Sequence, residues 1–331
     1  LVSKGHKITF FERCTTRGIR TSQYSEESIY FIRHFEFLHH QLRPFKFLVY
    51  INNLIIKFLI KKNIKDKPID LIINFNYDYS FLNNIFPNQK IITIINDDFV
   101  SQSKPWMTKS VSEQLENTCR NSDIVFTIHC KQYMELKSFN ENIYSLLPWA
   151  GNKYISPTKT TKKKNVVLFW GFIDQRVDWE LLDTLLSNNI KIRFIGHILY
   201  RVKKNIKKLE KYNNFELCSP TSIEKINFTD ICCSIIPYNN KINSVKSMTI
   251  SNRTFQLLSY GIPIIHTALP YLLEAPNNVI FQCRNSKDFI DGIEYFKKNF
   301  YLSQRSIEYF LSNHYEDIRY KYIFDKIREL E

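Results

Sequence analysis

The sequence has few of the residues that mark a disulfide framework, a zinc site or a dinucleotide-binding loop. Its seven cysteines are an odd number and include no Cys-x-x-Cys pair, so neither paired disulfides nor a structural zinc site is expected. This cysteine usage indicates a reducing compartment. Only seven glycines occur, and no Gly-x-Gly-x-x-Gly follows an apolar run, which argues against a nicotinamide-dependent oxidoreductase.

Long apolar runs are also missing. A membrane-spanning helix needs roughly 18 or more consecutive apolar residues. The longest candidate, residues 45–60, is interrupted by Asn52, Asn53 and Lys57. We therefore expect no transmembrane segment and a cytoplasmic location, which includes the inner face of the membrane.

Acidic residues are too few to balance the basic ones. The chain carries 46 Lys and Arg against 32 Asp and Glu, for a net charge of +14. This excess favours polyanions, which could be nucleic acid, an anionic membrane surface or phosphorylated substrates. No helix-turn-helix, zinc-finger or RNP signature is present, so nucleic acid is the least favoured of these partners. The basic runs at 162–164 and 203–208 are interpreted as solvated faces.

What the sequence does contain is a repeated alternation of apolar runs and amphipathic helices. Nearly continuous apolar strands that alternate with helices are typical of parallel α/β domains. Strands are predicted at residues 8–11, 71–75, 91–95, 123–128, 143–147, 166–170, 192–195, 215–217, 231–236, 262–266 and 279–281. Helices are predicted at 26–42, 45–61, 179–187, 202–212, 253–259, 287–299 and 303–330, with others near Ser80, Val111 and Gln132.

The pattern restarts after a polar stretch near residue 150, and 331 residues suit two domains. We predict a Rossmann-like domain at 1–150, a second Rossmann-like domain at 151–302, and a C-terminal helix at 303–331 that packs back towards the first domain. A first strand with a glycine-rich turn is expected upstream of residue 1. Two doubly wound parallel sheets would face each other across a crevice at the carboxyl ends of their strands.

Two glycines and one helix start are placed where a ligand could bind. Gly171 and Gly196 each follow a predicted strand, where the backbone turns sharply or approaches a ligand closely. Ser251 or Asn252 can cap the next helix, so that its first amides and Arg253 form a seat for a diphosphate. Ordinary turn glycines and an ordinary capped helix are the alternatives.

Four parts of the sequence, the last of which consists of residues 230–238 and 253–265, resemble in their order the retaining, family-4-like bacterial glycosyltransferases of the GT-B type. Residues 230–238 form an apolar strand that begins at an aspartate and ends in Pro237-Tyr238, and residues 253–265 follow the family's Lys-x-x-Glu…Gly-x-Pro helix and strand. Residues 171–182 resemble the Gly-x-Ile-Asp-x-Arg-x-Asp entry to the donor domain of cell-surface polysaccharide enzymes. Residues 5–11 and 123–127 resemble two segments of the first domain. The resemblance implies a GT-B fold and a sugar transfer from a nucleotide-sugar donor. It also implies that the domain at 1–150 binds the acceptor and that the domain at 151–302 binds the nucleotide sugar.

The resemblance also implies where the donor lies. The diphosphate is expected between Gly171, Arg176 and the helix start at Ser251, Asn252 and Arg253. The base is expected near Gly196 and His197, the ribose near Gln256, with Pro237 and Tyr238 beside the site. The donor is expected to be a UDP- or GDP-sugar, with no further cofactor and no metal.

Two departures weaken the analogy at the sugar. The family's two glutamates, eight positions apart, fall at Met248 and Gln256, so neither carboxylate is present. Methionine cannot act as an acid, a base or a charge stabiliser, whereas the glutamine amide can still hydrogen-bond a ribose.

The candidates for acceptor binding or base catalysis lie in the first half of the chain. Asp97 and Asp98 end a predicted strand, and His129 lies close to the family's usual serine. A pair of helix-capping carboxylates and a structural histidine are the alternatives.

Taken together, these features predict a glycosyltransferase acting on an envelope glycan or a lipid-linked acceptor, with peripheral contact to an anionic membrane. The alternative is a catalytically degenerate homologue that binds a nucleotide sugar or supports a partner transferase.

Overall fold

The computed structural model describes residues 2, 5–12, 22–26, 28–33, 45–64, 67–128, 130–151, 153–159 and 163–330. The chain divides into two compact units, Leu1–Leu146 and Leu147–Glu331. Within the described ranges, no helix is both long and apolar enough to cross a bilayer.

The first unit contains a small mixed sheet and a parallel sheet. In the small sheet, β3 (Ile29–Arg33) lies between β1 (Ile8–Glu12), to which it is parallel, and β2 (Ser22–Glu26), to which it is antiparallel. The parallel sheet has the order β4-β5-β6-β7, and its strands are β4 (Leu71–Asn74), β5 (Lys90–Ile95), β6 (Ile124–Thr127) and β7 (Ile143–Ser145). The α-helices of the first unit that the structure describes are α1 (Lys46–Ile64), α2 (Phe99–Gln102), α3 (Thr108–Arg120) and α4 (Cys130–Leu136).

The helix predicted over residues 26–42 is wrong where the structure describes it. Residues 29–33 form strand β3, and Ser28, with φ of 68°, turns the chain between β2 and β3. β-branched and aromatic side chains at Ile29, Tyr30, Phe31 and Ile32 favour a strand. Residues 34–42 lie outside the described part of the chain.

The second unit is built on one six-stranded parallel sheet. Its strands are β8 (Val166–Trp170), β9 (Lys191–Ile195), β10 (Phe215–Cys218), β11 (Ile231–Ile236), β12 (Ile264–Thr267) and β13 (Ile280–Cys283). Their order in the sheet is β10-β9-β8-β11-β12-β13, so the direction of winding reverses between β8 and β11. In doubly wound sheets, ligands bind at the carboxyl ends of the strands beside this reversal.

Both faces of the second sheet are covered. Val166 and Leu168 of β8 face one buried cluster, whereas Val167 and Phe169 face the other. The helices of this unit are α5 (Trp179–Ser187), α6 (Lys203–Leu209), α7 (Asn243–Lys246), α8 (Asn252–Ser259), α9 (Ser286–Asn299), α10 (Gln304–Ser312) and α11 (Glu316–Arg328), and all but α11 contribute buried side chains to these clusters. Burial on both faces explains why these strands are apolar without alternation.

The segment predicted as one C-terminal helix is two helices. Between α10 and α11, Tyr315 is extended, with φ of −72° and ψ of 161°, and forms a bridge with Ala150. Its hydroxyl accepts a hydrogen bond of 3.0 Å from the backbone amide of Tyr154. These contacts lie within the second unit and interrupt the helical hydrogen bonds. The predicted packing of this segment towards the first domain stays a prediction.

Candidate functional site

The loops that follow β8 and β9 are joined through their backbones. The amide of Gly171 donates to the carbonyl of Ile195 at 3.0 Å, and the amide of Ile173 donates to the carbonyl of His197 at 2.9 Å. A Cβ atom on Gly196 would overlap the carbonyl oxygen of Gly171. The two glycines predicted at these strand ends therefore permit one close backbone contact, and Gly196 has no room for a side chain.

Gly171 also makes room for Arg253. Its φ of +132° is a backbone conformation that other residues rarely adopt, and a Cβ there would lie 2.6 Å from Nη1 of Arg253. That same Nη1 donates to the carbonyl of Trp170 at 2.9 Å. The end of β8 and the start of α8 thus meet through one arginine.

Arg253 lies in the first turn of α8, whose N-cap is Ser251. The Ser251 hydroxyl accepts a hydrogen bond from the amide of Thr254 at 3.3 Å, while Asn252 is exposed at the first helical position. Nη2 of Arg253 donates to the Tyr238 hydroxyl at 2.8 Å. Among the described residues, both hydrogen-bond partners of this half-buried guanidinium are uncharged, and it lies beside the positive end of the helix dipole.

Arg176 reaches the same tyrosine from the loop after β8. Asp174 is buried and accepts from Nε of Arg176 at 3.0 and 3.1 Å and from its Nη2 at 2.6 Å. The guanidinium carbon of Arg176 lies 5.2 Å from the Tyr238 ring centre, and that of Arg253 lies 5.5 Å from it. Two guanidinium groups therefore lie over the Tyr238 ring, and within the described part of the chain Arg176 is bonded to a carboxylate whereas Arg253 is bonded to uncharged groups.

The loop that bears Arg176 is held in place by the loop after β11. The amide of Asn239 donates to the carbonyl of Arg176 at 2.7 Å, and the amide of Asp178 donates to the carbonyl of Pro237 at 2.8 Å. The Asp178 side chain in turn caps α5 by accepting from the amide of Leu181. These bonds join the two loops on either side of the winding reversal.

Behind Tyr238 lies a histidine that the sequence analysis did not single out. His266, on β12, is 3% exposed, and its ring meets that of Tyr238 edge-on with centres 6.2 Å apart. Burial lowers the pKa of His266 to about 4, assisted by the charge of Arg253 and opposed by a hydrogen bond with the Thr267 carbonyl. The ring is therefore neutral at pH 7. The sequence feature that could have identified His266 is its position at the carboxyl end of the strand predicted over 262–266.

A cavity of about 310 Å³ opens beside these loops. It is lined by Trp170, Gly171, Phe172, Gly196, His197, Pro220, Thr221 and Ser222. The rings of Phe172 and His197 are stacked with centres 5.9 Å apart, and both side chains are exposed. The wall at 220–222 carries no sequence motif that predicts it, and the Trp170 indole holds it by donating to the Thr221 carbonyl at 2.9 Å.

The positions of the two missing glutamates differ in their surroundings. Met248 packs against the apolar cluster on one face of the sheet. Gln256 is half-buried on α8, three residues after Arg253 and so on the same side of that helix. Neither position supplies a carboxylate to the group formed by Gly171, Arg176, Tyr238 and Arg253.

The acceptor-side candidates lie in the first unit. The buried carboxylate of Asp98 caps α2 by accepting from the amide of Ser101 at 3.0 Å. The Asp97 carboxylate accepts from the amide of Asp98 at 3.0 Å and from the side-chain amide of Gln102. Both carboxylates are thus bonded around the start of α2. His129 lies outside the described residues.

No protein-family model matches the sequence, and no curated protein matches it significantly. Solved structures do resemble it. The chain is similar to TarM, with a TM-score of 0.62 and 14% identity over 82% of this chain. It spans 57% of the TarM chain.

Two further structures match over more of their own length. The lipopolysaccharide outer core galactosyltransferase WaaB, in its apo form, has a TM-score of 0.62 at 11% identity over 92% of this chain and 85% of its own. Anabaena HepE, in complex with UDP and glucose, has a TM-score of 0.61 at 10% identity over 91% of this chain and 86% of its own. These neighbours are GT-B glycosyltransferases, which confirms the predicted GT-B fold.

Proposed function

We propose that this chain is a glycosyltransferase that moves a sugar from a nucleotide-sugar donor to an envelope glycan or a lipid-linked acceptor. The observation that carries the proposal is the pair of guanidinium groups on Tyr238, at the start of α8 and beside the winding reversal of the second sheet. A helix start with adjacent arginines is a favourable environment for a diphosphate. The UDP bound to HepE supports a nucleotide diphosphate as the ligand of this fold.

The donor would extend from this cationic group into the cavity. The diphosphate would bind Arg253, Arg176 and the first amides of α8, and the base would enter the cavity against Phe172 and His197. Aromatic rings bind a base by stacking, which does not require a particular pattern of hydrogen bonds on the base. Gln256, on the side of α8 that carries Arg253, would bond the ribose.

In the transfer, the bond between the anomeric carbon and the diphosphate oxygen breaks, and the acceptor hydroxyl oxygen bonds to that carbon. The negative charge that develops on the leaving diphosphate would be stabilised by the two arginines and the helix amides. This supply of positive charge is the reason for proposing a reaction that needs no metal. The acceptor proton would pass to a base in the first unit, for which Asp97, Asp98 and His129 are the candidates.

The absence of carboxylates at Met248 and Gln256 favours a second candidate function. A catalytically degenerate homologue would bind the nucleotide sugar through the same arginines and support a partner transferase. The two functions differ in one measurable respect, because only the enzyme releases nucleoside diphosphate from the donor.

The proposed donor site is tested by thermal-shift screening against UDP, GDP, CMP, dTDP and their sugars, at low and moderate salt. We expect a UDP- or GDP-containing ligand to raise Tm, and the shift to persist at moderate salt because the site includes uncharged contacts. If no nucleotide raises Tm, the donor site is refuted. A shift that vanishes at moderate salt for every ligand indicates unspecific attraction to the basic surface, which also contradicts the proposal.

A further inference from the structure

Helix α1 of the first unit is apolar on two opposite sides. Ile56 and Ile60 are 0% and 4% exposed and face the unit's interior, beside the buried Asn52. On the other side, Phe47, Tyr50, Leu54 and Phe58 are 72%, 62%, 46% and 65% exposed. Spacings of three and four residues place these four side chains in one outward stripe.

A stripe of this kind is unusual on a protein surface. An ordinary amphipathic helix places polar residues on its outer side, whereas here the outer side carries three aromatic rings and a leucine. Contiguous exposed apolar surface marks a site of interaction with a partner or a membrane. We call this stripe, together with Lys61 and Lys62, the α1 face.

The charge of the helix indicates which partner fits. The sequence of α1 contains no acidic residue, and its last turn carries Lys61 and Lys62, both exposed. Aromatic side chains beside lysines are the composition of helices that lie in the headgroup region of a bilayer. There the rings enter the boundary of the hydrocarbon region, while the ammonium groups stay at the level of the lipid phosphates.

A second copy of the chain fits the α1 face less well. In a two-fold symmetric dimer the same face meets itself. Each copy would then bring lysines and no carboxylate to the contact, so its charges would repel. An anionic bilayer instead offers negative charge along the whole helix.

We propose that the α1 face docks the protein on an anionic membrane surface, with Phe47, Tyr50, Leu54 and Phe58 inserted between the headgroups. This gives the membrane contact of the proposed function a definite surface. The membrane contact can be tested apart from donor binding. Vesicle binding and nucleotide binding are measured separately on the same variants.

The test is co-flotation of the whole chain with vesicles of phosphatidylglycerol and phosphatidylcholine, compared with vesicles of phosphatidylcholine alone. The double variant Phe47→Ser/Phe58→Ser should bind anionic vesicles at least ~10-fold more weakly than the wild type, since each ring loses its burial. Its matched control is Tyr200→Ser/Tyr309→Ser, which removes two rings that are 84% and 74% exposed in the second unit. The control should bind like the wild type.

A second pair of variants tests the charge. Lys61→Glu/Lys62→Glu should weaken binding by about 25-fold or more, because each lysine near an anionic surface contributes about fivefold. Lys207→Glu/Lys208→Glu, two exposed lysines of α6, makes the same change of net charge and should leave binding nearly unchanged.

Three outcomes overturn the inference. The wild type fails to float with anionic vesicles, or the Phe47→Ser/Phe58→Ser variant floats as well as the wild type, or the two lysine variants lose equal affinity. The last result means that the net charge of +14 attracts the bilayer without a defined face. Circular dichroism and the Tm of each variant without ligand show whether it is folded.

Discussion

Removal of Arg253 should weaken the binding of a nucleoside diphosphate more than that of its nucleoside. In Arg253→Ala the carbonyl of Trp170 and the hydroxyl of Tyr238 each lose one hydrogen bond. A guanidinium has more N–H donors than these two bonds use, so further donors are available to a phosphate. A charge-assisted hydrogen bond contributes about 1.5–3 kcal/mol, which is roughly a 10- to 150-fold change in Kd. We expect UDP or GDP to bind more weakly by that factor.

The assay is isothermal titration calorimetry at 25 °C, with the nucleoside diphosphate and its nucleoside as separate ligands. Because Arg253 is proposed to bind phosphate, Arg253→Ala should weaken the diphosphate but leave nucleoside affinity within about twofold. Arg253→Lys keeps the charge without the bidentate geometry. Its affinity for the diphosphate should therefore lie between those of the wild type and Arg253→Ala. Arg305→Ala, which removes an exposed arginine of α10, controls for the change in net charge.

Stability has to be separated from binding in this experiment. The two lost bonds should lower the free energy of unfolding by about 1–2 kcal/mol, which leaves the variant folded at 25 °C. Two results would refute the reasoning. One is unchanged diphosphate affinity in Arg253→Ala, and the other is an equal loss for diphosphate and nucleoside.

Three further predictions concern the same unit. Gly196→Ala should lower the free energy of unfolding of this unit by several kcal/mol, because the new methyl group overlaps the Gly171 carbonyl, and Tm should fall strongly. Its control is Gly151→Ala, where a Cβ meets nothing within 4 Å, and Tm should change little. His266 has a folded pKa of about 4 against 6.5 unfolded, so its contribution is complete above pH 6.5 and is lost as the pH falls towards 4. Urea unfolding of the wild type and of His266→Gln should differ in slope over that window, by a loss of about 3 kcal/mol that belongs to His266. Phe172→Ala should weaken nucleoside binding several-fold in calorimetry, whereas Tyr200→Ala, an exposed aromatic of a neighbouring loop, should not.

Much of the fold could be predicted because the strands of the second unit are buried on both faces. Continuous apolar runs such as residues 166–170 and 231–236 have few alternatives to a parallel strand, and the structure confirms both. The order of the strands could not be read from the runs, because it depends on which strands pair across long connections. Residues 29–33 were misassigned since a short apolar run satisfies a helix pattern as well as a strand pattern.

The candidate site was predictable only in its separate parts. Gly171 and Gly196 could be placed at strand ends, but their mutual contact is between backbones 25 residues apart and leaves no side-chain signal. Arg176, Tyr238 and Arg253 were identified from motifs, whereas the placement of both guanidinium groups over the Tyr238 ring and of the neutral His266 behind it depends on tertiary packing. The wall of the cavity at 220–222 has no motif at all.

For the acceptor-side candidates, the sequence predicted the positions but left the role of each residue open. Adjacent carboxylates after a strand suit a catalytic base and a helix cap equally well, and Asp98 forms the cap of α2. Asp97 is the less buried of the two and bonds the same turn. Whether either also takes a proton from an acceptor stays a prediction, as does the role of His129.

The most direct test of sugar transfer is the release of nucleoside diphosphate from UDP- and GDP-sugars, measured with membrane glycolipids as acceptors and with EDTA present. The account predicts that the wild type releases UDP or GDP from one donor class, that EDTA does not stop it, and that Arg253→Ala slows it by at least 10-fold. A wild type that binds the nucleotide tightly but releases none, with any acceptor fraction, would contradict the enzymatic account and favour the degenerate homologue.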